Sequence, residues 1–425
     1  MAKVNLFTAA RIAMEEEDIG TSSSVNNDVA QNEVENIEAQ NEVEEVAKIS
    51  SEIEQVASQI EEGIDEGEKL DEAIVEGEEV LENNEGGDVP EEAVEVAQEA
   101  LSESILLLAG REGKKQFKPS LESYETNIQK LRVSLEAAKD FANNIWQKIK
   151  ELFAKFVVMI KKYVVKLGAM FDKGTKQADA LIKIFKNRTQ FDQDKATDEF
   201  KDKLAKAYPA GIKVIGLTNI VDGKAAPEIE KMITDIDNNT MLNTDELKNK
   251  AKAAIISGPT ATKTKIFIEK LGVEPDFKDD EDDGKEELYI SVLRRNSVWY
   301  IGNLGTTGSE KVEANGDDIG TFSDPGSSKL ISFATTLKND AKKYKSDVNK
   351  TFTMMDKRTK EIDKLRDADV KGALDYEEKA RARKRANISY KITTQAVFQV
   401  ISSGLDYISG SLAILGVLSS AYKKA

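Results

Sequence analysis

Two apolar rhythms organise the chain. Pro119 and Pro209 bracket a proline-free stretch in which Ile128, Leu131, Leu135, Ala138, Phe141, Ile145, Ile149, Leu152, Phe156, Ile160, Val164, Leu167 and Phe171 recur at steps of three and four. That spacing puts them on one face of a long helix. Lys148, Lys150, Lys155, Lys161, Lys162 and Lys166 interleave with them, and Gly168 and Gly174 are expected to bend or end the helix. After Pro325 the rhythm returns in Leu337, Ala341, Tyr344, Val348, Thr351 and Met355. A charged helix then runs to the basic cluster Lys379-Ala380-Arg381-Ala382-Arg383-Lys384-Arg385. Between the two helical stretches the pattern changes. Ile212–Leu217 and Lys265–Ile268 read as strands. Leu288–Leu293 and Val298–Ile301 read as a hairpin turned by Arg294-Arg295-Asn296-Ser297.

The N-terminal arm has another texture. Residues 20–58 are rich in Ser, Asn, Gln, Glu and Val and hold no aromatic residue. Their small apolar positions mark one face of a helix but bury too little area to hold a fold alone. Asn83–Pro90 is a break, and a short helix over 91–108 follows. The expected fold is mainly α: long amphipathic helices form a helical body with a small α/β insert, preceded by a disordered acidic arm. The divisions are an acidic, largely disordered propeptide over 1–99, an amphipathic helical region over 100–209, the α/β insert over 210–328, and a C-terminal helical region over 329–425 packing on 115–208.

Composition sharpens this picture. The 425 residues carry 60 basic and 77 acidic side chains, a net charge of −17, with no histidine and no cysteine. Disulfides, thiolate or imidazole metal sites, cysteine nucleophiles and histidine bases are therefore excluded. The charge is split. Residues 1–110 hold 31 acidic and 4 basic side chains, whereas 111–425 hold 46 acidic and 56 basic ones. Such asymmetry marks a separately acting acidic region. The opening Met1–Phe7 has no apolar core, so no secretory signal is expected.

Catalytic candidates are thin. Asp279-Asp280-Glu281-Asp282-Asp283-Gly284 imitates the start of a calcium loop, but Ile290 stands where the bidentate glutamate is needed. Gly216–Gly223 and Gly302–Gly308 lack a Gly-Lys-Ser/Thr phosphate cradle. An enzyme in the insert would have only Arg294, Arg295 and the acidic turn to work with. The expectation is a non-enzymatic protein with no catalytic residue, metal or cofactor.

Two segments carry alternative readings. Gly410–Ala421 is apolar, and Ser402, Ser403, Ser409, Gly410 and Gly416 suit close helix packing. Traced backwards, it meets Asp406 and Gln399 before reaching the ~20 apolar residues that a bilayer requires. It is either a core helix packed on the 128–171 stripe or the apolar element of a membrane-active, pore-forming-like protein. The Lys-rich helix over 145–171 is a core face with solvated lysines, a lipid-surface helix or a phosphate contact. Lys379, Arg381, Arg383, Lys384 and Arg385 are candidate nucleic-acid contacts of a purely electrostatic, non-specific kind.

A short motif recurs in the acidic arm. Ile60-Glu61-Glu62 precedes Gly63, and Ile64-Asp65-Glu66 precedes Gly67. Leu70-Asp71-Glu72 precedes Ala73, and Ile74-Val75-Glu76 precedes Gly77. Ala97-Gln98-Glu99 precedes Ala100, and Leu101-Ser102-Glu103 precedes Ser104. A four-residue helical rhythm in a glutamate-rich segment would also repeat such triplets. Together with the Glu15-Glu16-Glu17 opening and the Glu/Val/Ala/Ile arm, the pattern resembles the internal head (inner-body or prohead-core) proteins of large tailed phages, T-even-like or giant phiKZ-like.

The resemblance implies a virion protein made in the host bacterial cytoplasm and packed inside the capsid among inner-body proteins. It implies a prohead maturation protease that cuts after glutamate, at Glu99-Ala100 or Glu103-Ser104, with Glu62, Glu66, Glu72 and Glu76 as further cuts. A cut after Glu99 removes 30 acidic and 4 basic side chains and leaves 326 residues with 56 basic and 47 acidic ones. That basic body is expected to associate with packaged DNA and to be ejected with it.

Overall fold

In a computed structural model of the chain, the structure describes residues 25–83, 90, 92, 95, 96, 99, 126–240, 290–301 and 307–424. Nine helices stand among them. They are α1 (Val25–Glu82), α2 (Asn127–Asn187), α3 (Asp198–Ala207), α4 (Pro209–Val214), α5 (Leu217–Val221), α6 (Ile229–Thr240), α7 (Ser327–Gly372), α8 (Tyr376–Lys391) and α9 (Val397–Ser419). Five short strands accompany them: β1 (Gln190–Phe191), β2 (Ile290–Leu293), β3 (Ser297–Ile301), β4 (Thr307–Lys311) and β5 (Tyr422–Lys423). The mainly helical body and the small sheet agree with the sequence pattern. The chain divides into two compact units. One comprises 50–160 and 358–391, and the other comprises 161–357 and 392–425 together with the N-terminal 49 residues.

The described residues of the first unit are almost all helical. Within α1, Val46, Ile49, Ile53, Val56, Ile60, Gly63, Gly67, Leu70, Ile74, Gly77 and Leu81 alternate steps of three and four without interruption. This is the heptad of a helix that packs along a single seam. Ile53, Ile64, Leu70 and Ile74 are fully buried. The seam meets Leu131, Leu135, Ala138 and Ala142 of α2 and Tyr376 of α8. Glycine in a helix costs about 1 kcal/mol against alanine, and here it permits close approach. A Cβ on Gly67 would lie 2.9 Å from the Trp146 indole. Over 53–74 the acidic arm thus has a helical stretch with a buried face. What it lacks in aromatic bulk is supplied in part by α2, through Trp146. Residues 1–24 lie outside the described residues.

α2 continues through Gly168 and Gly174, so neither ends the helix. Its buried face also differs from the expected one over one stretch. Ala142, Trp146 and Phe153 are buried, while Phe141, Ile145 and Leu152 are only half-buried.

The second unit gathers the C-terminal half of α2, the N-terminal half of α7, the short helices and α9. Tyr163 packs on Phe398 at 5.4 Å between ring centroids and shares a 3.1 Å hydrogen bond with Ser402. Gly174 abuts Ile408 and Leu412. Phe185, Phe191 and Tyr422 stack edge to face where β1 pairs with β5, antiparallel. β2, β3 and β4 form an antiparallel sheet with Val292 opposite Trp299 and Trp299 opposite Ser309. β2 and β3 realise the expected hairpin.

The strand expected at Ile212–Leu217 is a correction. Pro209 opens the helix α4 instead, and Gly216 follows at φ 88°. A short apolar run does not distinguish strand from buried helix, and proline at the first helical position favours the latter. The strand expected at Lys265–Ile268 and the acidic turn Asp279–Gly284 lie outside the described residues. So does most of the helix expected over 91–108.

α9 is long and apolar enough to cross a membrane, yet 78% of its apolar window is buried inside the protein. Its two polar interruptions are both answered from the hairpin turn. Arg294 Nε donates to Asp406 Oδ2 at 2.6 Å, and Arg294 Nη1 donates to Gln399 Oε1. Arg294 thus ties the hairpin turn to α9. Nearby on α7, burial raises the Asp340 carboxyl to about 6, partly opposed by Lys343. Its Oδ2 is buried without a hydrogen-bond partner among the described residues.

Candidate functional site: the acidic helix and its docking face

Glu62, Glu66, Glu72 and Glu76 and the candidate basic cluster belong to one compact unit, where α1 lies along α2 and α8. The centre of that seam is polar. Asp71, 3% exposed, follows Leu70 and so points into the seam. Its Oδ1 accepts from Tyr376 Oη at 2.6 Å and from Arg383 Nη1 at 2.9 Å, and its Oδ2 accepts from Trp146 Nε1 at 3.2 Å. Arg383 Nη2 reaches Asn143 Oδ1 at 2.7 Å, and the guanidinium lies 5.7 Å from the centroids of both the Trp146 and Tyr376 rings. Burial pushes the Asp71 carboxyl up, and Arg383, Tyr376 and Trp146 pull it back down. Burial, and then the neighbouring Asp71, push the Tyr376 phenol up. A network of this kind is specific in geometry and costly to half-dismantle.

A ladder of outer contacts flanks it. Lys391 pairs with Asp65 at 2.5 Å, Asn387 donates to Glu68 at 2.9 Å, Lys384 approaches Glu72 at 3.5 Å, and Lys139 pairs with Glu78. Burial pushes the Glu68 carboxyl up, against the pull of Asn387, Lys391 and Lys384. The charges complement one another. Residues 50–82 hold 13 acidic side chains and 1 basic one, whereas 126–160 and 358–391 together hold 17 basic and 10 acidic ones.

This geometry revises the basic cluster. Arg383 is a core residue and offers no surface to phosphate. Lys384 faces Glu72, Arg381 pairs with Glu377 one turn away, and Arg385 lies 3.6 Å from Asp369. Lys379 is half-buried. Lys384, Arg381 and Arg385 thus each have an acidic neighbour at the protein surface.

The candidate cut residues divide into two groups. Glu62, Glu72 and Glu76 are exposed and Glu66 is half-buried, all within α1. The small residues after them face inward: Gly63 lies against Ile149, Gly67 against Trp146 and Gly77 against Leu135, and Ala73 is a core residue. Glu99 is helical and exposed. Ala100, Glu103 and Ser104 lie outside the described residues.

Sequence reasoning missed Asp71, Asn143, Trp146 and Tyr376. The available signal was the heptad of α1, which places Asp71 on the edge of its apolar seam. Nothing in this arrangement provides a nucleophile beside a base, and among the described residues no cluster of three acidic groups is suited to a metal ion. Its chemistry is recognition: an acidic helix held by a basic, aromatic-lined face.

No curated protein and no solved structure shows a significant match to the chain. The model of one family does, across residues 29–416. That span takes in the acidic helix, the seam it packs against and almost all of α9. The chain therefore belongs to the phiKZ-like phage internal head proteins, structural components held inside the capsid.

Proposed function

We propose that the chain is a precursor packed into the head in the host cytoplasm, and that a prohead maturation protease removes its acidic arm. The cut falls after Glu99 or Glu103, and the mature basic body associates non-specifically with packaged DNA and leaves with it. The observation that carries this reading is the charge division. The 99 residues up to the first cut hold a net of −26, and the 326 after it a net of +9. α1 also sets its carboxylates against lysines of α2 and α8. While attached, an acidic arm competes with nucleic acid for basic surface. Its loss reverses the sign of the long-range field before the genome enters. Glutamate at the cut suits a basic protease pocket, and a small following residue avoids steric conflict.

The test is intact mass and N-terminal sequencing of the protein recovered from mature heads. A new N-terminus at Ala100 or Ser104 is expected. A chain that still begins at Met1 or Ala2 overturns the reading.

A further inference from the structure

We infer that the face formed by α2 and α8 within 126–160 and 376–391 is a binding surface for one ligand, the acidic helix 50–82 of this chain. After the chain is cut between 83 and 125 the helix stays seated there without covalent connection, and the acidic arm is lost only when that helix later undocks. The bonds after Glu62, Glu66, Glu72 and Glu76 are then closed to proteolysis until that helix leaves. The claim about processing order rests on the protease reading above, while the claim about binding does not.

Three observations carry it. The seam is long: Ile53, Val56, Ile60, Ile64, Leu70 and Ile74 are all buried, Leu70 and Ile74 cluster with Leu131, Leu135, Ala138, Ala142 and Tyr376, and Gly63, Gly67 and Gly77 lie against Ile149, Trp146 and Leu135. An apolar seam of this length does not depend on the peptide link that follows it. The polar centre is specific, because Asp71 takes donors from three side chains that no other described carboxylate serves together. The flanking charges are complementary from Asp65 to Glu78.

Protection follows from the same packing. A protease binds its substrate extended, so a helical bond must first give up its backbone hydrogen bonds. At these four sites the residue after the glutamate is also held in the seam. Gly67 sits in a notch of the Trp146 indole and Gly77 in a notch of Leu135. The glutamates themselves lie on the outer face, where they are visible but cannot be cut in place. Opening any one of the bonds requires local undocking, so their cleavage rate is scaled by the fraction of time the seam is open. The interval after Asn83 carries its own glutamates, among them Glu92, Glu95 and Glu99, which are also helical but exposed, so that cutting there needs local fraying and no undocking of the seam.

The experiment is limited digestion of the full chain with a glutamate-specific endopeptidase, followed by intact mass over time and by size exclusion of the nicked product. Cuts within 83–125 are expected first, with the fragment containing 50–82 co-eluting with the body. Cuts after Glu62, Glu66, Glu72 and Glu76 should lag by at least about tenfold. In Asp71→Ala, the nicked fragment should bind about a hundredfold more weakly or worse, since one partner of a buried pair has gone. Circular dichroism of the uncut variant reports whether it remains folded, so that loss of binding is not mistaken for loss of fold.

Elution of the wild-type fragment on its own, or equal cutting rates at the two sets of bonds, overturns the inference. Because the endopeptidase is added from outside, this outcome is independent of the N-terminus found in mature heads. A mature chain starting at Met1 would sink the processing reading and leave the binding result standing.

Discussion

Asp71 and Arg383 stand 312 positions apart in the chain and 2.9 Å apart in the fold, both buried, with Tyr376 and Trp146 closing the ring around them. An ion pair in that setting contributes less to net stability than its removal by halves would suggest. The two charges lose water on burial, and the remaining donors and acceptors must all be answered.

Single and double replacements should therefore disagree. Asp71→Ala leaves the Arg383 guanidinium buried beside two aromatic rings and is expected to destabilise the unit by about 3–5 kcal/mol. Asp71→Leu combined with Arg383→Met replaces the pair with apolar volume and should recover most of that loss. Urea denaturation of the three chains measures the difference. A double variant as unstable as the single one would show that the pair stabilises the seam outright.

The glycines of α1 should respond according to what each one faces. A Cβ at Gly63 meets Ile149 at 3.5 Å, an ordinary contact, so Gly63→Ala should stabilise by up to about 1 kcal/mol through helix propensity. At Gly67 the neighbour is a rigid indole at 2.9 Å, so Gly67→Ala should gain nothing or lose stability. Thermal unfolding of the two variants side by side would decide it. Equal gains would mean that the Trp146 notch is loose.

Asp340 sets a pH dependence in the other unit. Its folded carboxyl titrates at about 6, above the ordinary aspartate value, because burial disfavours the charge. A raised carboxylate contributes stability that is complete below about pH 4 and is lost as pH rises through about 6. Asp340→Asn should therefore stabilise the protein at pH 8 by about 1–2 kcal/mol, with the gain vanishing towards pH 4. Denaturation midpoints at the two pH values check the sign. A gain of the same size at both would show that the carboxylate's charge is not the cause.

Nucleic-acid binding should follow processing. Protein from mature heads is expected to bind duplex DNA more tightly than the intact precursor at low salt, and the gap should narrow as salt rises. Fluorescence anisotropy at two ionic strengths gives both quantities. Identical affinities would separate the acidic arm from any role in masking the body.

The helices α2 and α7 were legible because one face of each is apolar at a steady three-and-four spacing, and the β2–β3 hairpin because its strands flank a short polar turn. The face of α2 was harder to place. At 141–142, 145–146 and 152–153 two adjacent residues can each point inward, and the partner helix chooses Ala142, Trp146 and Phe153. Asp71 could not stand out in a segment crowded with carboxylates, since its distinction is a partner contributed by α8. Gly63, Gly67 and Gly77 show the converse. Their place after a glutamate was plain, but their second role as packing notches is visible only beside Ile149, Trp146 and Leu135. At Pro209 the run Ile212–Leu217 had too few residues for its period to declare itself.

The Arg294 contacts reach beyond the hairpin. Asp406 and Gln399 are the two positions that shorten the apolar run of α9 in the sequence, and one guanidinium engages both. Withdrawing α9 into a lipid phase would strip an aspartate and an amide of their common donor and strand a cation in the space left behind, each at a cost of several kcal/mol. The hairpin thus works as a tether, fastening the most oily of the described helices indoors by Gln399 and Asp406.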